Sequence, residues 1–583
     1  MKNKKLLLIV LIMVLIVSIG KETYALFTGE VSSVVQNYST GTLKLSYSNS
    51  VINLNNTYPM SDSDGMNTGS GIITITNTGT LAYKFDVKID VSSNSTLSND
   101  LIKVSIDEQN PAFLSRDSNI IIRDIILNPG SSRSFSLKLW IDNSASSSQV
   151  LGKKFIGNLT SSGIAVKNID DSVGTVLDGS LYSYIKRNVN TTTQIDFSKQ
   201  SIDNQTNGIY LTTNTENNEP VYFYRGDVDN HVLFANFCWR IVRTTETGGV
   251  KLLYDGIPSN GECNNTGDAT TIGNYALNSN YSSPAYVGYM YGTVYNANLK
   301  DITTLSESIV FGNDITYANG TYTLKDTYTL TSPSNWSSEY KTIGNKYHYT
   351  CFTSSSTCQK VNYIYIIYSG DEKPYFFELS SGKTHLDILK EMLDNSTNTT
   401  NSTAKTTIDT WYQNNMISYT SKLEDTVFCN DRTYDVSTSG WNKDYSNYDT
   451  WLYFESKQRL EKYNPSLACP NTNDKFTTSA DNGNGKLTYP VGLITADEMA
   501  YAGGKVWQIN TSYYIYNNAT SWVLSPSYFS HWNAFQFGLS SSGDFGSYYF
   551  VASSYGLRPS ISLKPGTILS GGNGTSTSPY VVE

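Results

Sequence analysis

Between residues 26 and 166 apolar and polar positions alternate in short runs. Ile72-Ile73-Thr74-Ile75-Thr76, Tyr83-Lys84-Phe85-Asp86-Val87-Lys88-Ile89 and Phe135-Ser136-Leu137-Lys138-Leu139-Trp140-Ile141 all carry the two-residue period of strands with one buried face. Asn77-Thr78-Gly79, Ser93-Asn94-Ser95 and Asn128-Pro129-Gly130 separate the runs with turn residues. Strands at this spacing, with no helical stretch between them, predict a β-sandwich of immunoglobulin-like or jelly-roll type over 26–166. It contains no cysteine, so packing alone must hold it.

The period then lapses. Residues 167–207 are polar, with room for a short helix around Leu181–Ile185, and read as a linker. From residue 208 a second region opens. Its run Leu233–Arg243, the turn Thr247-Gly248-Gly249 and the run Val250–Tyr254 predict a hairpin, and the aromatic density predicts a central place in a sheet. Helices are few. Residues 404–416 place Ile408, Trp411 and Tyr412 on one face after Ser402 and Thr403, and 385–393 is a second candidate. The sharpest signal is Thr495-Ala496-Asp497-Glu498, a capping box whose helix should end at Gly503-Gly504. The fold class expected is mainly β with short helices: an N-terminal β-sandwich, then an α+β domain over 208–583 with inserted β-rich and helical segments.

Residues 1–25 set the expected compartment. Lys2, Lys4 and Lys5 precede an apolar run from Leu6 to Val17, and Thr23 and Ala25 fit a small-residue cleavage site, as in a secretory signal peptide. The run is short against the about 20 residues of a membrane span, and an uncleaved N-terminal anchor is the alternative. The expected location is secreted or cell-surface, with membrane contact only through that anchor. Ser, Thr, Asn and 44 tyrosines dominate a chain with only 16% charged residues, a composition that suits pleated, half-buried surfaces. A net charge of −9, with no Lys/Arg cluster after the leader, argues against a nucleic-acid partner. The six cysteines, even in number, point to disulfides in an exported chain. Sequential pairing is favoured, Cys238 with Cys263, Cys351 with Cys358 and Cys429 with Cys469, because each pair brackets one turn-rich segment. His231, His348, His385 and His531 stand singly, without metal-ligand spacing.

Two resemblances add to this reading. Ala25-Leu26-Phe27-Thr28-Gly29, followed by Tyr38-Ser39-Thr40-Gly41-Thr42-Leu43-Lys44-Leu45, resembles the mature start of the camelysin and biofilm-fibre family, which implies a β-sandwich and a surface-fibre or matrix role. Further on, Phe234–Gly256, the Cys429–Cys469 region and Tyr489–Val582 resemble a domain-of-unknown-function family of Tyr- and Asn-rich exported bacterial proteins. Leu493–Ala502 and Gly556-Leu557-Arg558 are similar to the capped helix and terminal motif of the sulfatase-modifying-factor branch of the C-type-lectin-like fold. The enzyme of that branch, as the resemblance implies, needs a C-terminal cysteine pair to hold copper, and no cysteine follows Cys469. A related branch holds non-haem iron with histidines, and only His531 stands in the last lobe. The resemblance therefore implies a lectin-like display platform rather than an enzyme.

Candidate chemistry in the residues themselves points the same way. Asp227 with Asp229, and Asp497 with Glu498, are paired carboxylates, yet turns and first helical turns explain acidic residues equally. Arg558 reads as a fork bonding backbone carbonyls. Asp62, Asp64 and Asn67, or Asp481, Asn482 and Asn484, gather enough oxygen ligands for calcium without completing an EF-hand loop, so turn chemistry is favoured and calcium is the one cofactor left open. The binding candidate is the stretch after Ser525-Pro526-Ser527. Tyr528, His531, Trp532, Asn533, Phe535 and Gln536 mix rigid rings with amides, and strand alternation puts half of the rings in the core. In composition it also resembles the hypervariable region that diversity-generating elements create in lectin-like receptors. The expected function is a surface adhesin or receptor for a glycan or an extracellular protein. A structural fibre component and an extracellular enzyme are the alternatives.

Overall fold

The computed structural model describes residues 42–48, 51–55, 58–166, 170–281, 283–292, 398–435, 451–530 and 533–582, together with residue 393 and the backbone of short strands between 299 and 378. The leader, the Cys351/Cys358 pair, the candidate helix over 385–393 apart from its last residue, and His531 and Trp532 lie outside the described residues. Strand is the dominant element, in several sheets that are almost wholly antiparallel, and the helices are few and short. The described residues divide into two compact units, one of those up to residue 188 with 566–570, the other of those from 189 to 565 with 571–582.

In the first unit the alternating runs are strands. Gly71–Asn77 buries Ile73 and Ile75, and Ala82–Val91 buries Tyr83, Phe85, Val87 and Ile89 while the residues between them stay part exposed. One sheet runs in the order Leu45–Tyr47, Gly71–Asn77, Ser132–Asp142, Ile102–Ile106, Ala112–Phe113. The other runs Thr175–Val176, Ile120–Leu127, Ala82–Val91, Lys154–Val166, Val51–Asn55. Their apolar faces share one core, with Ile75, Val104 and Phe135 from the first sheet meeting Phe85, Ile122 and Phe155 from the second. This is a two-sheet sandwich. Gly130, at φ 84, turns the chain between two of its longest strands, as Asn128-Pro129-Gly130 predicts.

The stretch read as a linker is mostly built into one unit or the other. The helix Leu181–Arg187 forms as expected, with Ser180 as its N-cap, and Leu181 and Ile185 are buried. Its last residue, Arg187, donates from Nε and Nη2 to Asp117 at 2.9 and 2.7 Å, and Arg123 holds the other oxygen of the same carboxylate at 2.5 Å. After the division at residue 189, the buried Thr206 hydroxyl accepts from Arg225 Nε, and Gln200 Nε2 donates to the Ile509 carbonyl. Polar residues bury here through hydrogen bonds, which leave no hydrophobic period to read.

The second unit is organised around two sheets. In the first, Phe237–Thr244 is central as predicted, flanked by His231–Phe234, Val221–Arg225 and Val250–Tyr254. Val250–Tyr254 pairs in turn with Ser560–Leu563, and Tyr580–Val582 lies parallel to His231–Phe234. The run from Leu233 to Arg243 is two strands, not one. Ala235 and Asn236, at φ 53 and 63, make the doubly left-handed turn of a tight hairpin in its middle. The second sheet runs Asn274–Ala276, Ser554–Gly556, Ser521–Ser530, Asn533–Leu539, Phe545–Phe550, with Trp451–Tyr453 also paired to Ser521–Ser530. The helix Thr403–Asn415 forms after the Ser402 N-cap, and Ala496–Ala502 forms with both halves of its capping box in place, ending at Gly503 with φ 122. The helix Glu455–Glu461 is an addition that the sequence pattern does not announce. Cys238–Cys263 and Cys429–Cys469 are disulfides with Cα separations of 5.6 and 5.7 Å, as the sequential pairing predicts.

Candidate functional site

The paired carboxylates of the capped helix are fully committed to structure. Glu498 returns its carboxylate to the Thr495 N–H and accepts from Lys251 Nζ at 2.8 and 2.9 Å and from Arg243 Nε at 2.7 Å. Burial would raise its pKa, but these two cations and the backbone donor hold it down to about 2. Asp497 accepts from Arg459, which also bonds Asp431, and from the Ser466 N–H. Neither carboxylate has a free face for acid/base work. Arg558 is the predicted fork: it donates to the carbonyls of Tyr254 and Ile515 and to Asp255 Oδ1 at 2.8 Å. Of the calcium candidates, Asp62 is bonded to Lys103 and Asp64 to the Ser61 hydroxyl, while Asp481 accepts from Ser479. Among the described residues no group of three or more His, Cys, Asp or Glu is placed to hold a metal.

His231 is a buried neutral base in the same unit. Its Nδ1 faces the Gly574 carbonyl at 3.3 Å and its Nε2 meets Arg240 Nη1, with Asp255 at 3.8 Å. Burial, reinforced by the Arg240 charge, lowers its pKa from 6.5 to about 4. The unfolded chain therefore binds the proton first, and the stability this site contributes is present above pH 6.5 and is lost as pH falls toward 4. His231→Gln is expected to flatten the loss of unfolding free energy between those pH values by on the order of 1–3 kcal/mol. Denaturant titrations at the two pH values check this; equal slopes in wild type and variant would refute it.

The predicted binding stretch lies on the second sheet, and its residues divide between the two faces. Tyr528 pairs with Phe535 across adjacent strands, and their rings stack at 4.5 Å. Phe550 pairs with Phe535, and Tyr453 with Tyr528, so all four belong to one face. Gln536 is a correction. It is 0% exposed on the opposite face, paired with Tyr549, and its Nε2 donates to the Val523 carbonyl, so it is not a surface contact. Tyr528, 4% exposed, is also part of the interior rather than a surface ring, and burial raises its pKa. Asn533 and Phe535 are half-buried. The alternation was legible, but which parity faces out depends on a bulge in Ser521–Ser530 that shifts the register between Pro526 and Tyr528.

The exposed rings nearby are others. Tyr548 is 64% exposed, where a register shift in the pairing with Asn533–Leu539 leaves Ser547 and Tyr548 opposite Phe537. It packs on Trp507, itself 37% exposed, with ring centroids 4.4 Å apart, and reaches Tyr528 at 6.4 Å. Trp507 is the third residue of the turn Lys505–Gln508, closed by the Gln508 N–H on the Lys505 carbonyl at 3.2 Å, and its φ is +67. That position favours glycine or asparagine, and a side chain there costs about 1–2 kcal/mol. Tyr463 repeats the anomaly. It follows the helix Glu455–Glu461 at the left-handed position that glycine ordinarily takes, with φ +57, and it is 45% exposed. The Tyr463 N–H bonds the Leu460 carbonyl and the Asn464 N–H bonds that of Arg459, which completes the helix-ending motif around a tyrosine.

Tyr463 and Trp507 are the only aromatic residues with left-handed backbone among the described residues. Lys505, two residues before Trp507 in the chain, places its ammonium 4.8 Å from the Tyr463 ring centre. On the other side Tyr453 meets Tyr528 at 6.1 Å and carries Lys457 over its ring at 4.6 Å, and Lys457 is neutralised by Glu461 on its own helix. Ring contacts thus run from that helix through Tyr453, Tyr528 and Tyr548 to Trp507, while Lys505, two residues earlier in the chain than Trp507, meets Tyr463 just past the helix's end. Composition alone could not find Tyr463 and Trp507, since their exposure follows from their backbone. Gly503-Gly504 before a tryptophan-bearing turn is the one trace in the sequence. No protein-family model matches the chain, and no curated protein matches it.

Proposed function

We propose that this protein is an exported cell-surface binding protein, an adhesin or receptor, that contacts a glycan through the exposed rings Trp507 and Tyr548, which pack on each other, and Tyr463. The observation that carries this reading is the pair of exposed aromatic residues held in left-handed backbone. Strain of this kind persists where surrounding structure enforces it, and it concentrates at ligand clamps. Rigid, exposed rings suit the apolar faces of sugars, since they contribute contact area at low entropy cost. Two disulfides support an oxidising, extracellular setting, and no helix among the described residues is long and apolar enough to cross a membrane. A lectin-like platform is supported by its two resembling motifs: the capped helix and Arg558 are both buried framework here, which leaves binding to the surface rings.

The test is binding of the full mature chain to glycan and extracellular-protein arrays. Tyr548→Ala is expected to lower glycan binding at least tenfold while leaving unfolding within about 0.5 kcal/mol of wild type, because the side chain is largely solvent-exposed. Silence across the glycan array, or binding that Tyr548→Ala leaves intact, would sink this reading.

A further inference from the structure

We infer that Lys505 makes this site selective for an acidic glycan, one carrying a carboxylate or sulfate, over its neutral counterpart; the inference rests on the glycan reading above. The argument is one of charge. Lys505 rests its ammonium on the Tyr463 ring, two residues before Trp507 in the chain, and among the described residues it has no carboxylate partner. Lys457, which lies over the Tyr453 ring, is paired with Glu461 at 2.6 Å, so of these two ring-bound lysines Lys505 is the one without a carboxylate among the described residues. The chain as a whole carries −9, which repels an anion at long range. Selectivity must therefore be local, supplied by one ammonium that the Tyr463 ring holds in place. The part-exposed Asp544 lies near Tyr549, which the strand pairing puts on the other face of the sheet with Gln536. A ligand stacked on Trp507 and Tyr548 would bring a ring substituent within reach of Lys505, two residues from the Trp507 backbone.

The experiment compares an oligogalacturonate with its methyl ester, the same chain with its charge capped, by calorimetric titration of the full mature protein. A sulfated galactan oligomer in a parallel arm separates the two sources of negative charge. The acidic oligomer is expected to bind about threefold to fivefold tighter than the ester at low ionic strength, the range of a solvent-exposed ion pair. Half-molar salt should close that gap. Lys505→Gln should bring the ratio of acid to ester affinity to about one, and Lys505→Arg should keep it. Equal affinity for acid and ester, or a preference that Lys505→Gln leaves unchanged, overturns the inference while the glycan reading stands. If no oligomer binds, and Tyr548→Ala changes nothing on the arrays, the glycan reading fails and the inference with it.

Discussion

Trp507→Gly and Trp507→Ala are both expected to lose glycan binding by roughly thirtyfold or more, the effect of removing about 2 kcal/mol of aromatic contact at a binding hot spot. Their stabilities should differ in an unusual direction. Alanine is normally the more stabilising of the two because glycine has more conformational freedom to lose. At φ +67 an alanine Cβ retains the steric conflict that glycine lacks, so the glycine variant should be the more stable by about 1 kcal/mol. Both variants lack the ring that packs on Tyr548, so the comparison isolates the backbone term. Denaturant unfolding together with array binding reads both quantities. An alanine variant as stable as the glycine one would remove the strain, and retained binding would remove the site.

Glu498→Ala should be far more damaging to the fold. It leaves Lys251 and Arg243, both buried, without the carboxylate they share, and breaking such a group typically costs about 3–5 kcal/mol. It also removes the N-terminal cap partner of the helix Ala496–Ala502. Lys251→Met should cost less, because Glu498 then keeps Arg243 and the Thr495 N–H. The order of the two variants in chemical denaturation is the check; a milder loss for Glu498→Ala would contradict this account of the network. The same carboxylate gives a pH signature. Its folded pKa, about 2, lies below the ordinary 4.5, so its contribution is full above pH 4.5 and disappears as pH falls through about 2. Acid unfolding of the Glu498→Ala variant should lack that component.

Much of the framework was legible because it obeys local rules. The strands Gly71–Asn77, Ala82–Val91 and Ser132–Asp142 follow a two-residue period that only a half-buried sheet explains. The capping box at Thr495 and the Gly503 stop depend on backbone groups a few residues apart, so four letters suffice to place them. The two described disulfides are among the sequential pairs favoured because each brackets one turn-rich segment.

The candidate site was less legible. Gln536 and Trp507 show why. An amide beside aromatic residues looks like a binding group, but a single residue of register sends it into the interior, and that register is set by a bulge. Tyr463 and Trp507 were placed at the surface by left-handed turns that tyrosine and tryptophan do not themselves favour, so the surrounding structure must impose them. By itself, then, the sequence determined the β class and the capped helix, because short-range hydrogen bonding and alternation decide those, and it favoured the two cysteine pairs the structure describes. The tertiary structure alone decided which rings face solvent and that Lys505, among the described residues, meets a ring and no carboxylate, because both depend on register, strain and charge pairing between segments far apart in the chain.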